Sequence, residues 1–373
     1  MKVIIVGGTF TDNIGTVHRS GVVHKMYEHL LNTNAFVNCI DVDVINGGLV
    51  SNIPSDFPLR KDADLTIWMP NIPNEQDKNY PIKKQGSVLI CSKVMREGYT
   101  RVDSISRIFK MHGNAVIEIR MDEDTGLVKF TLVDALGNLW YDGSDIPSLM
   151  TSIMAFVAFT KSAKRINTSR ANEHYVPVDK YFEDNKENIQ MLLNVNKKLQ
   201  QHIQTSCGNR FFGNVSTRCQ KLFPSVRAEL SHDRGVAMTM NMFVSPRNSN
   251  KESLTSEDMV LYLGNSDSYC GENKPSVDSP AQARLYHKMN NINFMIHGHA
   301  NIKHRDAAST SHYKLCGDVN EVDEILNAID RDAKSFVVNL LGHGFLIGAN
   351  SGEELNALVD KLIKEGEFNI TNQ

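Results

Sequence analysis

The chain has 373 residues, of which 41% are hydrophobic and 22% charged, with a formal net charge of −3. At this length two domains are expected, each with a core of ordinary size, and the near-neutral charge gives no basic face for nucleic acid. No apolar stretch approaches the roughly 20 residues that span a bilayer, so no membrane partner is expected.

After Met1-Lys2 the first apolar run is only Val3 to Val6, which is not a secretory signal pattern. Cys39, Cys91, Cys207, Cys219, Cys270 and Cys316 are scattered, without a CxxC pair or disulfide spacing. Free thiols in a cytoplasmic protein are the expectation.

Lys2-Val3-Ile4-Ile5-Val6 reads as a buried strand that runs straight into Gly7-Gly8-Thr9, the opening of a doubly wound α/β domain. A helix is expected over Thr16–Leu31, with Val22, Val23, Met26, Leu30 and Leu31 at helical spacing. Strands follow at Phe36–Val42, Leu65–Trp68, Val88–Ile90, Ala115–Ile119 and Val128–Val133. The last two flank the turn-rich Asp122-Glu123-Asp124-Thr125-Gly126 and so form a hairpin. An apolar helix over Ile146–Ala163 closes the domain.

A glycine loop after the first strand leaves its amides open to a phosphate, although a tight strand-to-helix turn explains the same residues. Gly7-Gly8-Thr9, His18-Arg19-Ser20-Gly21, Ala63-Asp64 and Ile82-Lys83-Lys84 occur in an order that resembles phosphopantothenoylcysteine synthetase. That resemblance implies a Rossmann-like fold binding a nucleotide such as CTP, with Gly8, Thr9, Ser20, Gly21 and Lys84 near its phosphates. The chain departs from the pattern at Val17, where the family has an asparagine that handles the acyl intermediate, and at Pro81, where it has a lysine.

Composition changes between Lys161 and Asp184, where Lys161, Lys164, Arg165 and Arg170 sit among Ser, Thr and Asn without apolar periodicity. The expected organisation is therefore a domain over 1–165, a linker over 166–183 and a second domain over 184–373.

The second half opens with an amphipathic helix over Glu187–Ile203. Strands are expected at Val236–Val244 and Met259–Leu263, and a helix at Ala281–Met289. The apolar run Phe294-Met295-Ile296 then ends in His297-Gly298-His299. A strand with a period of two turns both imidazoles to one face, which makes a poor core and half of a metal site. A helix follows over Glu321–Ile329, then an apolar strand ending at His343, then a last helix over Glu353–Lys364.

Five segments of this half, in order, resemble the class II aldolase/adducin family: Phe212-Gly213-Asn214-Val215-Ser216-Thr217-Arg218; Val244-Ser245-Pro246 with Leu254-Thr255-Ser256-Glu257-Asp258; Lys274-Pro275-Ser276-Val277-Asp278; His297-Gly298-His299; and Leu341-Gly342-His343-Gly344. The resemblance implies an α/β/α domain and a Zn²⁺ held by His297, His299 and His343, with Asp278 as the acid/base residue. It also implies a substrate phosphate held by Gly213, Asn214 and Ser276, and a homo-oligomer, commonly a tetramer.

The chain departs from the family at several points. Asp278 stands where a Glu is usual, which withdraws the carboxyl by about 1.5 Å. Val277 replaces a phosphate-contacting Ser. Arg247-Asn248 replaces a Thr/Ser-Gly pair, and Arg247 can restore anion binding or lie on the surface. The connection from His299 to Cys316 is short and omits the region of the family's catalytic tyrosine.

The resulting expectation is a zinc-dependent lyase or epimerase acting on a small phosphorylated or nucleotide-linked sugar through a metal-stabilised enediolate. A CTP- or ATP-dependent carboxylate–amine ligase in the first half and a non-catalytic, oligomeric adducin-type binding protein are the alternatives.

Overall fold

A computed structural model describes residues 1–7, 9–11, 14, 16–37, 41–46, 63–69, 86–121, 125–171, 176, 178–207, 210–219 and 240–370. The chain divides into two compact units, Met1–Ser162 and Ala163–Thr371. Among the described residues, no helix is long and apolar enough to cross a membrane.

The first unit is built on β1 (Lys2–Gly7), β2 (Thr9–Thr11), β3 (Val17–Arg19), α1 (Gly21–Val37), β4 (Asp41–Asn46), β5 (Leu65–Met69), β6 (Val88–Val94), α2 (Arg101–Lys110), β7 (Ala115–Met121), β8 (Val128–Asp134), β9 (Leu139–Gly143) and α3 (Ile146–Ser162). Its seven-stranded sheet runs β4-β1-β5-β6-β7-β8-β9. The first five strands are parallel, and β8 and β9 extend the sheet antiparallel. β1 is apolar and buried along Val3–Val6 because both faces of the sheet are covered. Helices α1 and α3 pack on one face, through Val23, Met26, Leu30, Leu149 and Ile153. Ile108 of α2 and Met111 beyond it pack on the other.

The expected hairpin at 115–133 is present as β7–β8. Two expected boundaries move. Residues Val17–Arg19 pair with Thr9–Thr11 as a strand, so the helix starts at Gly21 instead of Thr16 and continues to Val37. Ser20 supplies the start, its hydroxyl accepting the amide of Val23 at 3.3 Å. Because the helix is longer, the next strand is Asp41–Asn46, not Phe36–Val42.

The second unit contains β10 (Ser169–Arg170), α4 (Val178–Gln200), β11 (Ser206–Cys207), β12 (Arg210–Phe211), β13 (Asn214–Arg218), β14 (Met242–Val244), β15 (Val260–Leu263), β16 (Ser268–Cys270), α5 (Ser279–Lys288), β17 (Phe294–Gly298), β18 (Ala300–Lys303), β19 (Ala307–Ser309), α6 (Glu321–Ala328), β20 (Ser335–Leu340), β21 (Gly344–Ala349), α7 (Gly352–Glu365) and β22 (Glu367–Ile370). Nine strands form one sheet in the order β10-β16-β15-β14-β13-β17-β21-β20-β19. Helices α4 and α7 cover one face through Leu192, Leu199, Leu355 and Val359. Helices α5 and α6 cover the other through Leu285, Tyr286, Val322 and Ile325. The result is a three-layer α/β/α domain with β17 in the middle of its sheet.

Several described residues of the expected linker over 166–183 and its border take part in the second unit. Ser169 and Arg170 pair with β16, Arg165 bridges to Asp318, and α4 already begins at Val178. Of the strand expected at Val236–Val244, Met242–Val244 is extended and 236–239 lie outside the described residues.

Candidate functional site

Three elements bring the histidines together. His297 is the fourth residue of β17, opposite Asn214 of β13 and Leu346 of β21. His299 lies just beyond the end of that strand, in the bend before β18, instead of continuing it. His343 closes the turn between β20 and β21, with its amide bonded to Leu340 O at 2.9 Å.

Two glycines make this approach possible. Gly213 has φ +71°, and a Cβ there would stand 2.3 Å from the carbonyl of His297. Gly344, at φ +148°, leaves only 2.1 Å between a built Cβ and the carbonyl of Gly298.

One ring nitrogen from each of His297, His299 and His343 lies within 4.8 Å of the others. The ring centroids are 4.7 to 5.3 Å apart. His297 Nδ1 is 2.8 Å from the carbonyl of Phe345 and must carry the proton to donate there. That leaves Nε2 as a lone pair, and this atom is buried without a hydrogen-bond partner. His343 Nδ1 is likewise bonded to Glu321 Oε1 at 2.8 Å, with its Nε2 3.1 Å from Cys316 Sγ. The ring of His299 stacks on Phe212, with centroids 4.9 Å apart.

Burial, reinforced by the charge of His343, lowers the pKa of His297 to about 4. Burial, with the charges of His297 and then His343 added to it, holds His299 well below the usual value. Burial also pulls His343 down, but Cys316 and the Glu321 carboxylate outweigh it and hold His343 well above the ordinary imidazole value. A buried lone pair aimed at two further imidazoles, with the outer nitrogens fixed by a carbonyl and a carboxylate, suits a nitrogen-preferring divalent cation such as zinc.

Asp278 lies at the start of α5, nearly buried. Its Oδ2 accepts from Asn214 Nδ2 at 2.9 Å and Ser276 Oγ at 3.3 Å, and its Oδ1 from the Gly317 amide at 2.8 Å. Gln282 Nε2 donates to Asn214 Oδ1. The side chains of Asn214 and Ser276, expected to meet a substrate phosphate, are therefore engaged in orienting Asp278. Arg247 is exposed at the rim, with Nε 3.4 Å from Pro275 O, and its charge acts on Asp278. Val277 is also exposed.

Sequence reasoning missed four residues here. Glu321, Cys316 and Gln282 carried no spacing signal, because each meets its partner only across the fold. Lys251 is buried, with its charge acting on Asp278, His297 and His299.

In the first unit, Ser20 caps α1 and Gly21 opens it. Thr9 lies in β2, whereas Gly8 and Lys84 lie outside the described residues.

The three-layer domain thus carries the histidine trio and the acid at a helix start. Residues 190–359 of it match the family model described as Class II Aldolase and Adducin N-terminal domain. No curated protein sequence matches the chain.

Among solved structures, the chain is similar to an aldolase II superfamily protein from Pseudomonas syringae (12% identity over 49% of this chain and 72% of that one, TM-score 0.35). It is also similar to L-fuculose-1-phosphate aldolase from Thermus thermophilus (16% identity, 48% and 89%, TM-score 0.31). A DNA/pantothenate metabolism flavoprotein from Streptococcus pneumoniae is a further likeness (10% identity, 42% and 98%, TM-score 0.31).

Proposed function

We propose that the second domain is a zinc-dependent lyase or epimerase of class II aldolase type, acting on a small phosphorylated or nucleotide-linked sugar. The observation that carries this reading is the buried, unpartnered Nε2 of His297, which faces the imidazoles of His299 and His343 beside Asp278. Zinc held by these three residues would supply Lewis-acid stabilisation of negative charge developing on substrate oxygens.

The protein's own part is orientation and proton transfer. Asn214, Ser276 and the Gly317 amide hold the Asp278 carboxylate in one place, as a general acid/base requires. Gln282 fixes Asn214 in turn. Glu321 holds the Nδ1 proton of His343 and so directs Nε2 inward. With Asp in place of the family's Glu, the proton-transfer group is set back, which suits a substrate different from those of the family's aldolases. A homo-oligomer is part of this reading, by family resemblance.

The test is a panel of phosphorylated and nucleotide-linked sugars, followed by carbonyl release and by solvent deuterium incorporation at the carbon next to the carbonyl. Turnover that needs zinc and falls at least 100-fold in Asp278→Asn is expected. Turnover unchanged by either would refute the assignment.

The first domain has a separate reading as a binding site for a nucleotide such as CTP. In its sheet the chain turns to opposite sides of β1, to β4 and to β5, and ligands of open α/β sheets bind at such switch points. Gly8, Thr9, Ser20, Gly21 and Lys84 are the residues proposed for it. A thermal-shift screen with CTP and ATP tests this reading, and no shift with either would sink it.

A further inference from the structure

The site contains a cation without a hydrogen-bonded counter-ion. Lys251 is 4% exposed, and among the described residues its Nζ has one hydrogen-bond partner, the carbonyl of Ser249 at 2.7 Å. An ammonium group has three donors. The acid whose charge acts on it is Asp278, but the hydrogen bonds of Asp278 come from Asn214, Ser276 and Gly317, and Lys251 is not among these donors. A buried charge without a partner is costly, so such a group is kept where something completes it.

The loop that presents Lys251 is built and rigid. Ser245 exchanges hydrogen bonds with Val215, its amide donating to Val215 O and its hydroxyl accepting from Val215 N. Pro246 bridges to Pro275, and the Arg247 amide bonds Lys274 O. Ser249 Oγ donates to Pro246 O at 2.8 Å, and the buried Asn196 donates to the carbonyl of Lys251 itself at 3.0 Å. A loop held this way, with Nζ bonded to Ser249 O, places the head group before any ligand arrives.

The other charged groups around the centre have their own partners. Lys251 and Arg247 both act on Asp278, while Glu321 is bonded to His343 and the buried Asp318 accepts backbone amides of Lys164 and Asn320. Asn214 and Ser276, expected to receive a substrate anion, also hold the negatively charged Asp278.

We propose that Lys251 is the anion-binding residue of this site, its ammonium group receiving a carboxylate or phosphate oxygen of the substrate beside Asp278 and the histidine cluster. This rests on the reading of that cluster as the catalytic centre. Burial that lowers its pKa to about 8 is consistent with a charge that waits for its partner. Arg247, at the rim, guides the same anion inward.

The experiment is calorimetric titration of the zinc-loaded protein with inorganic phosphate and, separately, with oxalate, for wild type, Lys251→Met, Lys251→Gln and Lys251→Arg. Wild type should bind at least one of them, phosphate alone marking a phosphorylated substrate and oxalate alone a carboxylate. The Met and Gln variants should weaken that binding about tenfold or more, as loss of a charged hydrogen bond does. The Arg variant should stay within a few-fold of wild type and shows that the fold survives a change at this position. Binding in Lys251→Gln within twofold of wild type, or no binding of either anion by wild type, overturns the proposal. Zinc content measured on the same samples separates the two readings. Lys251-independent binding to a zinc-loaded protein sinks this inference alone, whereas failure to load zinc sinks the centre it rests on.

Discussion

Removing the Glu321 carboxylate is the sharpest perturbation of the histidine cluster that leaves all three imidazoles in place. Glu321 is 6% exposed and His343 1%, with Oε1 2.8 Å from Nδ1. Burial raises the Glu321 pKa, and the charge and hydrogen bond of His343 oppose that rise. In Glu321→Ala the buried Nδ1 proton loses its acceptor, at a cost of about 1–3 kcal/mol. The ring also loses the contact that fixes its tautomer, and losses of this kind lower metal affinity about 10–100-fold. At about 1.4 kcal/mol per decade the two figures agree. Glu321→Gln keeps an acceptor oxygen without the charge and should lie near the tenfold end. Zinc competition against a chromophoric chelator at pH 7.5 measures both, with thermal melts to confirm folding. If Glu321→Ala binds zinc within twofold of wild type, or Glu321→Gln binds more weakly than Glu321→Ala, the orienting role is wrong.

Three further outcomes are expected. The folded His297 pKa of about 4 lies below the ordinary 6.5, so its contribution to the metal-free protein is complete above about pH 6.5 and is lost as pH falls through 4. The loss is roughly 3 kcal/mol by urea titration between pH 7 and pH 4, and an unchanged midpoint would contradict it. Arg218→Met removes a buried guanidinium that donates to the carbonyls of Tyr286, Met289 and Ile292 behind α5; it should destabilise the second domain by about 3 kcal/mol in a denaturant melt. Gly213→Ala sets a Cβ 2.3 Å from the His297 carbonyl at φ +71°. It should cost at least about 1–2 kcal/mol and weaken zinc binding with it, read by the same competition assay.

What the sequence made legible follows from how local each signal was. The His297-Gly298-His299 spacing and the apolar run before it needed only strand periodicity, and the β7–β8 hairpin announced itself by a turn between two β-branched runs. The start of α1 was misread because Val17–Arg19 pair with Thr9–Thr11, a contact outside any helical window. The stretch at 166–183 shows no strand periodicity because its strand is two residues long and sits at a sheet edge. Glu321, Cys316 and Gln282 were invisible for a different reason: each lies 22 to 68 positions from the residue it contacts. Asn214 and Ser276 are expected at a substrate phosphate, and only the closed fold shows that their side chains also reach Asp278. Lys251 carries no sequence signal because its burial arises only in the folded loop from Ser245.

The central claim is that His297, His299 and His343 hold one catalytic zinc. Metal analysis of the purified protein by mass spectrometry, beside His297→Ala, tests it most directly. The account predicts about one zinc per chain in the wild type and its loss in the variant. No stoichiometric divalent metal in the wild type, or the same content in His297→Ala, would contradict it.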